Sequence, residues 1–332
     1  MKKEINLKYK NIIFLGEEDY MERIVDIVRP LLDKSRETGY FLSKDGTRLY
    51  YENYINPEER AAIVISHGFC EFTAKFEEVI FYFLQAGYSV YSFDYRGHGK
   101  SCRVVEDLSK VYVKSYEEYI LDLNSFITQI VTTENEHREL ILFAHSMGGA
   151  IGALYLERYP DVFTCAVLSS PMLEINLGKL PVSLTWLVML FKKVTRKDKG
   201  YVPGHKAFNG TPKFARSSCL SEARYNLIFS KRVEEANYQT YGATYAWTFA
   251  SMRAVRKLQR HAKLVTTPTL ILQAGKDTTV RNGGQNRFAK KSINTTLVVV
   301  PDSKHEIFNG NSRMREEYFE KIFLFLDDVL CN

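Results

Sequence analysis

Ser146 stands between an apolar run and a helix-compatible segment, with small residues two positions before and after it. Residues 140–145 are apolar and rich in strand-forming types, which predicts a short buried strand, and residues 150–159 are compatible with a helix. A sharp turn from a strand into a helix can expose a serine hydroxyl as a nucleophile for acyl transfer. Ser146 is therefore the candidate nucleophile, and the alternative interpretation is a serine that only caps the helix.

The turn that exposes such a serine has to be tight, so the residues two positions away need little or no side chain. Gly148 meets this requirement. Ala144 occupies the position where the G-x-S-x-G pattern has its first glycine. A methyl group fits a tight turn less easily than a hydrogen, so the match to the pattern is weakened at this position.

A carboxylate and a histidine follow the serine in the order that a strand–turn–helix nucleophile requires. Asp277 lies just beyond a predicted strand over residues 269–275, and His305 lies in the loop after a predicted strand over residues 296–300. Parallel sheets place their sites at the carboxyl ends of the strands, so both side chains are expected beside Ser146. Their spacing of 28 positions leaves room for one helix.

These three residues predict a catalytic triad. His305, oriented by Asp277, would take the proton of Ser146 as the serine attacks an ester carbonyl, and water would then release the acyl-enzyme. Asp302 is a weaker candidate for the acid, because it lies only three residues before the histidine. The predicted chemistry requires neither a metal nor a cofactor.

Backbone N–H groups are expected to hold the oxyanion that acyl transfer develops. One is that of Met147, directly after the nucleophile, and the other is that of Phe69, after a predicted strand that starts at residue 61 and runs into His67 and Gly68. Gly68 lets the chain approach the site closely, and His67 is expected to brace the loop.

The elements around these residues predict an α/β fold with a doubly wound, mostly parallel sheet, because strands alternate with helical segments from residue 61 to residue 171. A hairpin over residues 41–54 begins the sheet, and a helix over residues 19–34 precedes it. The alternation stops and resumes near residue 264. The predicted organisation is an N-terminal helical extension at 1–38, a core at 39–172 and 251–332, and a cap inserted at 173–250.

Three segments carry a family resemblance: residues 67–71, 94–101 and 144–149. Together they resemble the monoacylglycerol lipase and bacterial lysophospholipase branch of the α/β-hydrolases, from about residue 39 to the C terminus. The resemblance implies the α/β-hydrolase fold with a helical cap, Asp277 and His305 as acid and base, and hydrolysis of the acyl ester of a lysophospholipid or a monoacylglycerol. Residues 220–225 and 241–247 are similar, more loosely, to the cap of bacterial lysophospholipases.

The predicted cap carries all of the net positive charge. It contains twelve Lys or Arg and five Asp or Glu, a net charge of +7, while the whole chain carries +6. Residues 180–191 are free of charge and precede a basic cluster of Lys192, Lys193, Arg196 and Lys197. Such a helix is too short to cross a bilayer, so two interpretations stay open: peripheral contact with an anionic membrane surface, or a lid over an acyl pocket.

Composition limits the domain organisation, the cellular location and the partners of the chain. The chain of 332 residues is 45% hydrophobic and 25% charged, which suits one large α/β domain with an insertion. Its five cysteines are scattered singly, and no secretory signal or transmembrane run is evident, which predicts a cytoplasmic protein. Whether the cap also places it at the inner membrane face depends on the choice left open above. No nucleic-acid-binding motif accompanies the basic residues, so a nucleic acid is not expected as a partner.

Two alternative functions stay open. A serine aminopeptidase or a general carboxylesterase would keep the same fold, although an aminopeptidase needs carboxylates in the cap to bind a free amine. A non-catalytic lipid-binding protein on a hydrolase scaffold belongs to another class, and an intact triad argues against it.

Overall fold

The computed structural model describes residue 9 and residues 11–132, 139–178 and 181–331. The strands in these residues are β1 (Arg36–Leu42), β2 (Arg48–Tyr54), β3 (Ala61–Ser66), β4 (Tyr88–Phe93), β5 (Lys110–Val111), β6 (Leu140–His145), β7 (Cys165–Ser169), β8 (Gly242–Ala243), β9 (Thr269–Ala274) and β10 (Thr295–Val300). Eight of them form one sheet in the order β1-β2-β4-β3-β6-β7-β9-β10, and β5 pairs with β8 separately.

Helices cover both faces of this sheet. They are α1 (Tyr20–Arg23, continued by Ile24–Val28 and Arg29–Ser35), α2 (Glu77–Gln85), α3 (Tyr116–Phe126, continued by Ile127–Val131), α4 (Met147–Arg158), α5 (Val182–Val194), α6 (Glu222–Glu234), α7 (Tyr245–His261), α8 (Asn282–Lys291) and α9 (Ser312–Leu330). Within the described residues, no helix is both long and apolar enough to cross a membrane.

Alternate residues of the central strands face opposite sides of the sheet. In β3, Val64 packs into the core that contains α3, α4 and α7, whereas Ile63 and Ile65 pack into the core that contains α1, α2 and α9. All six residues of β3 are buried, as expected for a strand covered on both faces. The predicted doubly wound α/β sheet is therefore confirmed, and β2 is antiparallel to both of its neighbours.

The hairpin predicted at the start of the sheet is formed by β1 and β2. Its turn contains Gly46, whose φ of +82° lies in the left-handed region that favours glycine. Pairing already begins at Arg36, so the predicted boundary between residues 38 and 39 falls inside β1. The helix predicted over residues 19–34 is α1.

The segment predicted as the cap leads from β7 to β9. It contains α5, α6, β8 and the first part of α7, which packs on both α4 and α5. The predicted boundary between residues 250 and 251 falls inside α7, because this helix continues without a break from the cap into the core. Lys179 and Leu180 of the predicted cap lie outside the described residues.

Candidate active site

The turn between β6 and α4 holds Ser146 in a strained backbone conformation. Its φ of 52° and ψ of −113° are unusual for a residue with a side chain. Two backbone hydrogen bonds fix this geometry: Ser146 N donates to Ser169 O at 3.1 Å, and Met172 N donates to Ser146 O at 2.8 Å. The neighbouring strand therefore stabilises a turn that is unfavourable in isolation.

Small residues permit this turn, as the sequence predicts. A Cβ atom on Gly148 would lie 2.0 Å from the carbonyl oxygen of Ser66, which belongs to a backbone that cannot swing aside. Ala144 is fully buried in the core, and its methyl group is accommodated there. The departure from the usual glycine at this position is thus compatible with the sharp turn.

The structure brings the three predicted side chains into one hydrogen-bonded chain. Ser146 Oγ lies 2.7 Å from His305 Nε2, and His305 Nδ1 lies 2.7 Å from Asp277 Oδ2. The other carboxylate oxygen of Asp277 accepts hydrogen bonds from the backbone N–H groups of Thr279 and Val280. Burial raises the pKa of Asp277, but the hydrogen bond and charge of His305 and these N–H donors outweigh it and hold that pKa below its ordinary value.

Asp302 lies apart from this chain. Its carboxylate pairs with Lys276 at 2.8 Å, and its side chain is 76% exposed. The weaker candidate for the acid therefore points into solvent, while Asp277, whose side chain is fully buried, faces the histidine.

Phe69 and Met147 each keep a backbone N–H available. Within the described part of the chain, neither group donates to a protein acceptor, and Met147 is the first residue of α4, where N–H groups have no partner in the helix. The loop before Phe69 is held by His67, whose Nε2 accepts from Tyr95 N at 3.0 Å and whose Nδ1 donates to Gly68 O at 2.8 Å. His67 thus braces the loop as predicted.

A buried cluster of charged groups lies behind the triad and was missed by the sequence analysis. Lys75 Nζ contacts Glu71 at 2.6 Å and Glu306 at 2.9 Å, and His145 Nδ1 lies 3.1 Å from Glu71. Glu71 also accepts the N–H of Gly68 at 2.5 Å. The i, i+4 spacing of Glu71 and Lys75 is a weak signal of this ion pair, and nothing in the sequence links either of them to Glu306.

This cluster connects the two loops of the site. Glu71 holds the loop that leads to Phe69, while His145 Nε2 donates to the carbonyl oxygen of His305 at 3.4 Å. Burial alone raises the pKa of Glu71, but the charges of His145 and Lys75 outweigh it and hold that pKa well below its usual range. The cluster can therefore fix the distance between the N–H donors and the histidine.

Lys75→Met is expected to lower the free energy of unfolding by about 3 kcal/mol at neutral pH, because two buried carboxylates lose their cation. In the wild type, Lys75 lowers the pKa of both Glu71 and Glu306, against the effect of burial. Such depressed pKa values stabilise the fold above the ordinary carboxyl value of about 4.3, and the benefit is lost as the pH falls through the native values. The deficit of the variant should therefore shrink in acid.

Urea unfolding across pH measures this difference. Lys276→Met is the matched control, because Lys276 pairs with the exposed Asp302 and its loss should leave stability unchanged. A Lys75 variant as stable as the wild type at neutral pH would contradict the structural role of the cluster.

Comparison with known proteins agrees with the fold. The chain belongs to the α/β-hydrolases, in the family described as "Serine aminopeptidase, S33", which matches residues 57–312. It is 28% identical over 310 residues to lysophospholipase L2 of Escherichia coli strain K12, which covers 90% of each chain. It is 26% identical over 306 residues to the monoacylglycerol lipase of Mycolicibacterium smegmatis, which covers 90% of this chain and 97% of the relative.

Among solved structures, the monoacylglycerol lipase of Paleococcus ferrophilus superposes with a TM-score of 0.65 at 24% identity. The superposition covers 85% of this chain and 99% of that one. Within the α/β-hydrolases the chain therefore lies in the lysophospholipase and monoacylglycerol lipase branch, and it is an ester hydrolase of the lipase and esterase type.

Proposed function

We propose that this protein is a serine hydrolase that cleaves the acyl ester of a single-chain lipid through an acyl-enzyme intermediate. The observation that carries the proposal is the chain from Ser146 Oγ through His305 to Asp277, with both distances at 2.7 Å. The acid is buried and the serine lies on a strained turn, which is the arrangement that activates a nucleophile.

The proposed reaction begins when Ser146 Oγ attacks the ester carbonyl and His305 Nε2 takes its proton. Asp277 accepts a hydrogen bond from Nδ1 and so keeps Nε2 free to accept. The backbone N–H groups of Phe69 and Met147 stabilise the negative oxygen of the tetrahedral intermediate. His305 then gives the proton to the departing alcohol, and water enters by the same steps in reverse to release the fatty acid.

The lipid substrate is inferred from the relatives and from the cap. The two curated relatives described above are named a lysophospholipase and a monoacylglycerol lipase, and both are aligned over 90% of this chain. The description of the family keeps an aminopeptidase as the alternative. That activity requires carboxylates to bind the free amine of a peptide, and the surplus of seven positive charges over residues 173–250 disfavours it.

A fluorophosphonate probe tests the catalytic proposal directly. We expect the probe to label the wild-type protein at Ser146, as located by mass spectrometry of the labelled peptide. Hydrolysis of lysophospholipids, monoacylglycerols and p-nitrophenyl esters of graded length then defines the substrate class. Absence of both labelling and hydrolysis would contradict the catalytic proposal and favour the non-catalytic alternative, a lipid-binding protein on a hydrolase scaffold.

The cap is further proposed to contact anionic membrane surfaces through α5. Leu184, Leu187, Val188 and Phe191 all present exposed side chains on this helix, with Leu187 64% and Phe191 63% exposed, while Met189 on the other face is buried. Lys193, Arg196 and Lys197 follow as exposed cations. An exposed apolar face beside basic residues is the pattern of a helix that lies in a membrane interface.

Reversing Lys192, Lys193, Arg196 and Lys197 to glutamate is expected to weaken binding to phosphatidylglycerol vesicles at low salt. Each basic residue near an anionic surface contributes about 1 kcal/mol, and salt screens this contribution. Vesicle sedimentation measures the change, and hydrolysis of a short water-soluble ester should be unaffected. Four reversals at exposed lysines outside the cap, Lys34, Lys44, Lys263 and Lys290, provide the charge-matched control. If the cap variant and the control variant bind the vesicles equally, the alternative interpretation of α5 as a lid over the acyl pocket would be favoured.

A further inference from the structure

A cavity of about 490 Å³ lies between the cap and the loop that carries His305. Its cap side is formed by residues 204–219 and by α6, and its core side includes Lys75, Glu306 and Asn309. The volume lies within the range of about 300–1,000 Å³ typical of small-molecule sites. Ser146 does not line this cavity, so it is distinct from the acyl-transfer site, and it reaches the loop of His305 at Glu306.

The charges that line the cavity are strongly unbalanced. Six Lys or Arg side chains face it, and Glu306 is the single carboxylate among its lining residues. Two of the cations, Lys75 and Arg224, are already held in ion pairs with glutamates. The remaining four have no carboxylate partner within 4.0 Å in the described part of the chain: Lys206, Lys213, Arg216 and Arg232.

Arg232 supplies a second observation. Its Nη2 donates to the carbonyl oxygen of Cys70 at 2.6 Å, which ties the cavity wall to the residue just after Phe69. Its Nε is buried and has no acceptor among the described residues. A buried N–H on a charged group is unfavourable without an acceptor, so the guanidinium has unused capacity to bind an anion.

We propose that this cavity binds the phosphodiester of a lysophospholipid headgroup while the acyl ester lies at Ser146. Arg216 can hold phosphate oxygens through its planar guanidinium, and Lys206 and Lys213 add positive charge at the rim. The aromatic side chains of the wall can pack against the carbon skeleton of the headgroup: Phe208, Tyr225, Phe229 and Tyr241. The inference rests on the proposed ester hydrolysis and narrows its substrate class.

The location of the cavity suits a headgroup. Glu306, on its core side, directly follows His305, and Arg232, on its cap side, contacts Cys70, the residue after Phe69. A phosphate in the cavity would thus lie near residues that adjoin both loops of the site, Glu306 beside His305 and the partner of Cys70 beside Phe69. A monoacylglycerol offers only hydroxyl groups there, and a peptide with a free amine would bring a further positive charge.

The test compares octanoyl lysophosphatidylglycerol with octanoylglycerol, both as monomers, in wild type and in the double variant Lys213→Gln/Arg216→Gln. Both side chains are exposed, so the fold should be retained. The ratio is kcat/KM for the phosphate-bearing substrate divided by kcat/KM for octanoylglycerol. We expect it to be about tenfold lower in the variant, because two charge-assisted contacts are lost in a partly exposed site. Added salt should lower the ratio in wild type and have little effect in the variant.

Lys263→Gln/Lys290→Gln is the matched control, because it removes two exposed positive charges that lie outside the cavity. Its substrate ratio should equal that of the wild type. An unchanged ratio in the Lys213/Arg216 variant, or an equal loss on both substrates, would overturn the assignment.

Calorimetric titration of glycerol phosphate and inorganic phosphate separates this proposal from the catalytic one. If the wild type hydrolyses neither lipid, the proposed ester hydrolysis fails. The anion site is still supported in that case if the wild type binds glycerol phosphate and the double variant binds it more weakly. Binding of inorganic phosphate with no effect on the substrate ratio would mark a site for free phosphate and overturn the headgroup assignment.

Discussion

Replacing Ser146 with alanine is expected to lower esterase turnover by a factor on the order of 10⁴ or more while leaving the fold intact. The serine hydroxyl is the proposed nucleophile, and without it His305 has no group to deprotonate. The hydroxyl makes its hydrogen bond to His305, whereas the turn itself is held by the backbone bonds to Ser169 and Met172. The variant should therefore unfold at the same temperature as the wild type, within a few degrees.

The measurement is kcat for a p-nitrophenyl ester, with circular dichroism on the same samples. Ser125→Ala provides the matched control, since Ser125 is a buried serine in α3, away from the triad. Activity of Ser146→Ala within tenfold of the wild type would remove this residue from the mechanism.

Asp277→Asn is expected to lower turnover by a factor on the order of 10⁴. Asp277 Oδ2 accepts from His305 Nδ1 at 2.7 Å, which leaves Nε2 without a proton and ready to accept one from Ser146. An amide can turn its NH₂ group toward Nδ1 and so favour the opposite tautomer, in which Nε2 carries the proton. Geometry would be preserved and the base would be lost.

Asp302→Asn is the matched control for this prediction, because Asp302 lies in the same loop as His305 but pairs with Lys276 in solvent. Its turnover should equal that of the wild type. If Asp302→Asn lost its turnover and Asp277→Asn kept it, the assignment of the acid would be reversed.

The candidate triad could be predicted from the sequence because each of its residues follows a strand, and parallel strands end at one edge of the sheet. The local patterns around Ser146, Asp277 and His305 carry that information without any knowledge of distant contacts. Element types were predictable for the same reason, although α4 begins at Met147, three residues before the predicted start.

Contacts between distant segments could not be predicted in this way. Lys75 and Glu306 are distant in the sequence and meet only because the fold brings the short helical turn Thr73–Phe76, before α2, next to the loop after β10. The pair of Arg224 and Glu17 spans 207 residues. A charged residue in a sequence gives no sign of its partner, since ion pairing depends on tertiary proximity rather than on periodicity.

The attachment of α6 has a consequence for the design of shortened versions of the protein. Arg224 forms a two-point ion pair with Glu78 in the core and a further one, at 2.7 Å, with Glu17, which also accepts from Ser221. Glu17, upstream of the sheet, thus helps to hold α6 of the cap on the core, while α5 exposes an apolar face. Deleting the N-terminal residues up to and including Glu17 would therefore loosen α6 without changing any residue of the candidate triad.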